Sequence, residues 1–295
     1  MTDFTVILFY TYVHIENPAA EMAHQYLLCD MLGLTGRMII AHEGVNATLE
    51  GTTENIEWYI EEMKSDPRFA DVHWKKSAGT GAAFPRLKIK VRPEIVSLHL
   101  EVDLDPNQVT GTRLKPEQLK QWYEEGKKFR VVDMRNDYEF KVGRFKNSML
   151  PSLKNFRDLS KNLDEINDFK DETILTVCTG GVRCEKASGL LIREGFKDVY
   201  QLDGGIVSYM EKFPAQEFEG TLYTFDNRIV MDFDTPNTHK VVGQCDFCEN
   251  KTEQFYNCQN PQCNLKVLAC NACYAEQNER VFCSETCRNA ILVAA

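Results

Sequence analysis

The chain reads as a multidomain protein that mixes α+β and α/β architecture in three parts. A split β-α-β-β-α-β unit comes first, a small parallel α/β domain follows, and a compact Cys-rich domain ends it. Three observations predict this. At roughly 150 residues per domain, 295 residues make two domains, or three small ones. The hydrophobic pattern changes character near residue 113, from strands and helices in the split order to short apolar runs separated by helical segments. Finally, eight of the eleven cysteines fall between Cys245 and Cys287. The boundaries expected on this basis are 1–93, a linker over 94–113, 114–218 and 219–295.

In the first part, residues 4–13 form an apolar strand, and Ala19 to Leu32 a helix closed by Gly33. Met38 to Ala41 and Asn46 to Leu49 make two strands about a turn at His42-Glu43-Gly44. Glu54 to Lys64 carries Ile56, Tyr59, Ile60 and Met63 at helical spacing. Leu87 to Val91 alternates apolar and basic residues, as a half-exposed strand does. This order is that of a ferredoxin-like domain, a fold that many functions share. Residues 94–113 contain Asp105-Pro106-Asn107 and Gly111, which suits a linker. Lys115-Pro116-Glu117 opens a helix with Pro in its first turn. The apolar segments Phe129–Val132, Thr173–Val177 and Val199–Leu202, with helical patterns between them, predict the parallel sheet.

Charge excludes some functions and suggests others. The net charge of −10 argues against coating nucleic acid by bulk attraction. Yet from Lys75 to Arg92 there are six cations (Lys75, Lys76, Arg86, Lys88, Lys90 and Arg92) and no Asp or Glu. Along the strand at 87–91 the cations Arg86, Lys88, Lys90 and Arg92 share one face. That face is a candidate for phosphate contact, each contact adding salt dependence; an ordinary solvated strand face is the plainer reading. No apolar run reaches membrane-spanning length. Asp3 precedes the first apolar stretch and no Lys or Arg occurs before Arg37, unlike a secretory signal. The expectation is a cytoplasmic protein with no membrane partner, whose cysteines serve metal binding or thiol chemistry rather than disulfides.

One cysteine sits in a reactive setting. Thr173 to Val177 runs into Cys178-Thr179-Gly180-Gly181-Val182-Arg183, and a helix begins at Cys184-Glu-Lys-Ala. Strand, glycine loop and helix start together form a nest of backbone N–H groups. The nest, the positive helix end and Arg183 favour thiolate at Cys178. Asp133, in Val132-Asp-Met-Arg135, ends a neighbouring strand at the same sheet edge, where α/β folds place their sites. Asp133 and Arg135 are expected to order the site rather than react. Cys29 lies in a helical pattern and reads as core.

These residues resemble a known family. Asp133-Met-Arg135 with Glu139, the loop Cys178 to Arg183, and Leu202-Asp-Gly-Gly205 are similar to the rhodanese homology domain over about residues 114–218. The resemblance implies that Cys178 carries a persulfide and that Arg183 is the loop's supporting cation. Thr179, Gly180, Gly181 and Val182 supply the loop backbone. Two roles are open for Cys184: resolving a Cys178 persulfide, or merely beginning the helix.

The tail reads Cys245-x2-Cys248, Cys258-x4-Cys263, Cys270-x2-Cys273 and Cys283-x3-Cys287. Eight thiolates in four pairs suffice for two closed tetrahedral zinc sites, which hold structure and leave no open catalytic position. An iron–sulfur cluster is the main rival. Spacing leaves open whether the pairs combine in sequence or cross over.

Taken whole, the amino domain with Glu43-Gly-Val-Asn46, the extended loop Cys178 to Ala187 and the Cys-rich tail resemble one bacterial family. It is the rhodanese-domain family of oxygen-dependent tRNA uridine hydroxylases. The resemblance implies 5-hydroxylation of the wobble uridine, tRNA as partner, dioxygen as co-substrate, and the basic segment as a tRNA contact. The residues themselves offer no flavin, haem or two-His-one-carboxylate iron motif. Two chemistries suit Cys178: addition to C6 of uracil, making C5 nucleophilic toward an oxidant, or direct participation of a persulfide. The alternatives are a sulfurtransferase with thiosulfate or a persulfide as sulfur donor, and a non-catalytic RNA-binding adaptor. The sequence assigns no oligomeric state.

Overall fold

A computed structural model describes residues 3–102, 104–233, 240–263 and 265–292. The first domain contains β1 (Phe4–Tyr12), α1 (Pro18–Met31), β2 (Thr35–Ala41), β3 (Gly44–Thr52), α2 (Thr53–Ser65), β4 (Lys75–Ala78) and β5 (Leu87–Val91). Both helices start on side-chain caps. Asn17 accepts from the Ala20 N–H at 3.0 Å, with Pro18 in the first turn, and Thr52 accepts from the Asn55 N–H at 3.2 Å. The sheet order is β4-β1-β3-β2-β5. Its first four strands are the antiparallel ferredoxin-like sheet. One expectation is corrected here. The strand that completes the split unit is β4, beside β1, whereas β5 adds in parallel to the opposite edge, against β2. Lys75-Lys76-Ser77-Ala78 shows no apolar alternation, so only pairing with β1 reveals it as a strand.

The β1 strand is covered on both faces. Ile7 and Phe9 enter the core beneath α1 and α2 with Ile56, Tyr59, Ile60 and Met63. Val6, Leu8 and Tyr10, on the other face, look toward the second domain. Cys29 lies in the first core at 0% exposure, as expected, and burial pushes its thiol up to about 12.

The second domain runs β6 (Thr112–Leu114), α3 (Pro116–Glu124), β7 (Arg130–Asp133), α4 (Asp137–Val142), β8 (Gly143–Phe145), β9 (Thr173–Val177), α5 (Val182–Arg193), β10 (Asp198–Leu202) and α6 (Gly205–Lys212). Its sheet, β6-β10-β9-β7, is parallel throughout. The strand β6 lies where a linker was expected. The described residues between 94 and 111 form no helix or strand, but several are packed rather than free: Ile95, Leu98 and Leu104 are buried, and Leu98 and Leu104 join the second core.

The last part opens with β11 (Phe218–Gly220), which pairs back onto β8. Next come the hairpins β12 (Leu222–Tyr223) with β13 (Val230–Met231) and β14 (Phe255–Asn257) with β15 (Lys266–Leu268). The helices α7 (Asn271–Glu276) and α8 (Glu285–Leu292) follow. Among the described residues no helix is long and apolar enough to cross a membrane.

Candidate active site

The loop at 178 is built where β9 ends at the carboxyl edge of the parallel sheet. Gly181 caps α5 with φ +103°, a value that strains any residue with a Cβ. Its N–H donates to the Cys178 sulfur at 3.2 Å. From below, the first N–H groups of α6 donate to the loop: Ile206 to the Cys178 carbonyl at 2.9 Å, and Val207 to that of Thr179 at 3.0 Å. A Cβ on Gly205 would fall 2.7 Å from the Cys178 carbonyl oxygen, so Leu202-Asp-Gly-Gly205 is what lets α6 approach.

Cys178 is fully buried. Burial alone would raise its thiol. The Cys184 thiol, the Arg183 charge and the backbone N–H groups of Cys184 and Arg183 outweigh that and bring it down to about 6. Cys184 moves the opposite way, pushed well above the usual thiol range by burial and by Cys178. The two thiols are thus pushed in opposite directions, Cys178 down toward the thiolate and Cys184 up toward the neutral thiol.

Arg183 does not stand free over the sulfur. Its guanidinium grips Glu139 with two bonds, of 2.6 and 2.9 Å, and also donates to Thr179 Oγ1 at 3.1 Å. Glu139 is buried, yet Arg183 and Arg135 hold its carboxyl below the ordinary range against the upward pull of burial. Behind it, Arg135 is wholly buried, bonded to Asp133 at 2.7 Å and to the Gly143 carbonyl at 2.6 Å. Asp133 and Arg135 thus fix the strand end and α4, and α4 presents Glu139 to Arg183. Glu139→Gln leaves Arg183 buried without its counter-charge. It is expected to cost about 3–5 kcal/mol of stability, read as a lowered urea midpoint for the second domain.

The first domain roofs this loop. Leu8 rests on Gly180, and the Tyr10 hydroxyl sits over Gly181. The Tyr10 hydroxyl donates to Glu185 at 3.0 Å, and that of Tyr12 to the Val182 carbonyl at 3.2 Å. Glu185 also receives Arg113 at 2.7 Å and Gln201 at 2.9 Å. Lys186, buried, bridges Glu43 at 2.7 Å and Glu94 at 2.9 Å. Glu43-Gly-Val-Asn46 is thereby explained as a clamp between domains: Glu43 also accepts the Ile95 N–H, and Asn46 donates to the Ile95 carbonyl.

Beside the roof lies a cavity of about 530 Å³ with walls from all three parts of the chain. The first domain supplies Leu8, Tyr10, Arg37 and Lys75; the second supplies Arg157, Gly180 and Arg183; the last supplies Phe225 and Arg228. Cys178 itself is not in the cavity wall; its loop neighbours Thr179, Gly180, Val182 and Arg183 are. Arg228 is paired with Asp226 and reaches across to Ser77. Arg37 and Arg157 form no ion pair among the described residues.

In the tail the cysteines cross over. Cys245, Cys248, Cys270 and Cys273 form one cluster, and Cys258, Cys263, Cys283 and Cys287 the other, each with its sulfurs within 4.8 Å of one another. Each is a set of four thiol groups that could hold a metal ion. The two repeat a local geometry: Cys270 N–H donates to Cys245 Sγ, and Cys283 N–H to Cys258 Sγ, both at 3.4 Å.

Comparison with known proteins agrees with this three-part organisation. Residues 4–95 match the UPF0176 acylphosphatase like domain, 115–212 the rhodanese-like domain and 219–288 the rhodanase C-terminal domain. A Cytophaga hutchinsonii protein called tRNA uridine(34) hydroxylase is 40% identical, over 98% of this chain and 91% of its own. A Bacillus licheniformis protein of the same name is 41% identical, over 97% of this chain and 88% of its own. The chain belongs to the tRNA uridine(34) hydroxylase family. Among solved structures, a rhodanese-like domain protein from Staphylococcus aureus is 28% identical, covering 35% of this chain and 94% of that one at a TM-score of 0.30.

Within this family member the residues singled out by sequence separate into groups. Cys178, Thr179, Gly180, Gly181, Val182, Arg183 and Cys184 come together, with Asp133 and Arg135 behind. Lys76 pairs with Glu57 at the surface. Arg86, Lys88 and Arg92 are exposed and Lys90 half-buried, all away from the cavity wall. Lys88 and Arg92 push the Lys90 ammonium down, as neighbours on one face must. Lys75 alone of the six turns inward, at 4% exposure. Sequence reasoning missed Leu8, Tyr10, Tyr12 and Arg37. The signal for the first three was the unbroken apolar run of β1, which marks a strand buried on both faces.

Proposed function

We propose that this protein hydroxylates C5 of the wobble uridine in tRNA, in the cytoplasm, with Cys178 as the working sulfur and dioxygen as oxidant, one oxygen atom entering at C5 and the other leaving as water at the expense of a two-electron donor such as a thiol pair. The observation that carries the reading is the cationic cavity abutting the Cys178 loop, in a chain whose relatives are named for that reaction. A cavity of about 530 Å³ has room for a nucleotide, and among the described residues Arg37 and Arg157 have no acidic ion-pair partner that would compete with a phosphate. In this reading Arg183, held by Glu139, supports the sulfur anion. Thr179, Gly180, Gly181 and Val182 shape the nest, Cys184 donates to the sulfur, and Asp133 and Arg135 brace it. The exposed face of Arg86, Lys88, Lys90 and Arg92, with Lys76, guides the tRNA by its phosphates. Lys75, buried, has a different task.

The two thiolate clusters take zinc in this reading. A tetrahedron of thiolates at about 2.3 Å from zinc has edges of about 3.8 Å. Sulfur separations of 3.7 Å between Cys248 and Cys270, and of 3.5 Å between Cys263 and Cys283, support a single ion in each. A four-iron cluster, with each thiolate on a different iron, asks for a wider spacing.

The test is nucleoside mass spectrometry of bulk tRNA from cells with and without the gene. Disappearance of 5-hydroxyuridine derivatives on deletion, and their return with the wild-type gene, is the expected result. An unchanged profile in cells lacking a redundant enzyme overturns the reading and turns attention to sulfur transfer from a persulfide or thiosulfate donor.

A further inference from the structure

The inward turn of Lys75 follows from register. Leu8 of β1 stands opposite Lys75 of β4, and directly opposed residues in antiparallel strands project from the same face. Tyr10, two residues along, shares that face. It is the face that roofs the Cys178 loop. The Lys75 ammonium lies 5.2 Å from the centre of the Tyr10 ring, whose hydroxyl sits over Gly181. Its Nζ is buried and has no hydrogen-bond partner among the described residues. A buried ammonium in that state is unfavourable unless an anion answers it.

We propose that Lys75 is a positioning residue of the Cys178 site, its ammonium stabilising the sulfur anion of Cys178 from across the domain boundary. The proposal rests on Cys178 working as an anion, the premise of the function proposed above. Several charged groups surround the lysine. Asp203 precedes α6, Glu211 lies on α6, Glu185 lies on α5 and His73 precedes β4. Glu185 is already engaged by Arg113, Gln201 and Tyr10. Burial pulls the Lys75 ammonium down and Cys178 foremost, then Asp203 and Glu211, oppose it, which leaves it lowered to about 8. His73 is pushed below its ordinary range by burial and by Lys75. Around Cys178 stand Arg183, the Cys184 thiol and the hydroxyls of Tyr10 and Tyr12. Both tyrosines are raised well above their usual range, chiefly by burial, and stay neutral. Lys75 is thus a cation that the first domain adds, beside Tyr10 and Tyr12, to a loop built by the second.

The experiment follows alkylation of Cys178 by iodoacetamide in the full-length protein, read on its own peptide by mass spectrometry, from about pH 5 to about pH 9. The quantity read is the midpoint of the rate, which reports the thiolate, rather than its amplitude, which also reports access. Lys75→Met is expected to move the midpoint up by about one unit, lowering the rate at pH 6 about fivefold. Lys75→Arg is expected to keep the midpoint near that of the wild type. Should Lys75→Met melt early, Lys75→Gln replaces it with a polar side chain of similar reach. A Lys75→Met midpoint that coincides with the wild type overturns the proposal, even if tRNA modification is lost. So does a uniform drop in rate at every pH, which signals access alone. Failure of the hydroxylation reading shows elsewhere, as tRNA modification that persists without Cys178.

Discussion

Cys178→Ala is expected to abolish 5-hydroxyuridine in tRNA while leaving the fold and metal content intact. The side chain is small, and alanine keeps the backbone that receives Ile206 and gives the Gly181 nest its shape. What disappears is the sulfur, the one group that the Cys184 thiol, the Arg183 charge and the loop N–H groups together hold as an anion. Complementation of a deletion strain, with nucleoside mass spectrometry of its tRNA, measures the effect. Modification retained at the wild-type level would remove Cys178 from the chemistry. Cys184→Ser gives the matched comparison. A hydroxyl still donates to the Cys178 sulfur, so activity that survives there assigns Cys184 to positioning. Activity that vanishes assigns it to covalent work.

Replacing a cysteine of the tail is expected to have an effect of similar size by another route. The clusters interleave: Cys258 and Cys263 lie between the two halves of the first, and Cys270 and Cys273 between those of the second. Cys270→Ser therefore breaks one site and releases the end of the loop that carries half of the other. Structural zinc sites contribute about 10–16 kcal/mol of apparent binding free energy in small domains, far more than a tail with a few short strands recovers by packing. Elemental analysis is expected to find about two zinc ions per wild-type chain and fewer than one in Cys270→Ser. Limited proteolysis should then cut between residues 240 and 292 while the first two domains resist. Two retained ions in the variant would contradict this pairing of ligands.

Much of this was legible in the sequence, for physical reasons that also explain the rest. The parallel sheet was visible in Thr173–Val177 and Val199–Leu202 because buried strands must be apolar. The loop at 178 was visible because a thiolate nest needs glycine, a helix start and a cation at close spacing. By contrast, β4 was hidden: Lys75-Lys76-Ser77-Ala78 is a strand only by virtue of its partner β1. The short β6 was hidden in the same way, taking its place from β10. The roof of Leu8, Tyr10 and Tyr12 escaped because contacts between domains leave no periodic trace beyond an extra apolar face. Charge counting placed Lys75 with the surface cations, since a count carries no direction. The crossing of the cysteine pairs was undecidable because all four spacings are short and alike.

The cavity has a consequence for the life of the chain. The strand β1 is translated long before the loop it covers, and Arg228, on the far wall, comes later still. A nascent polypeptide that has reached Arg183 carries Cys178 but lacks Cys184, most of α5 and all of α6, which set the state of its sulfur, and it lacks the third wall, which waits for residues 222–231. Until then the half-made chain lacks the cavity on which the function proposed above relies. The cavity is complete only after that last wall is made.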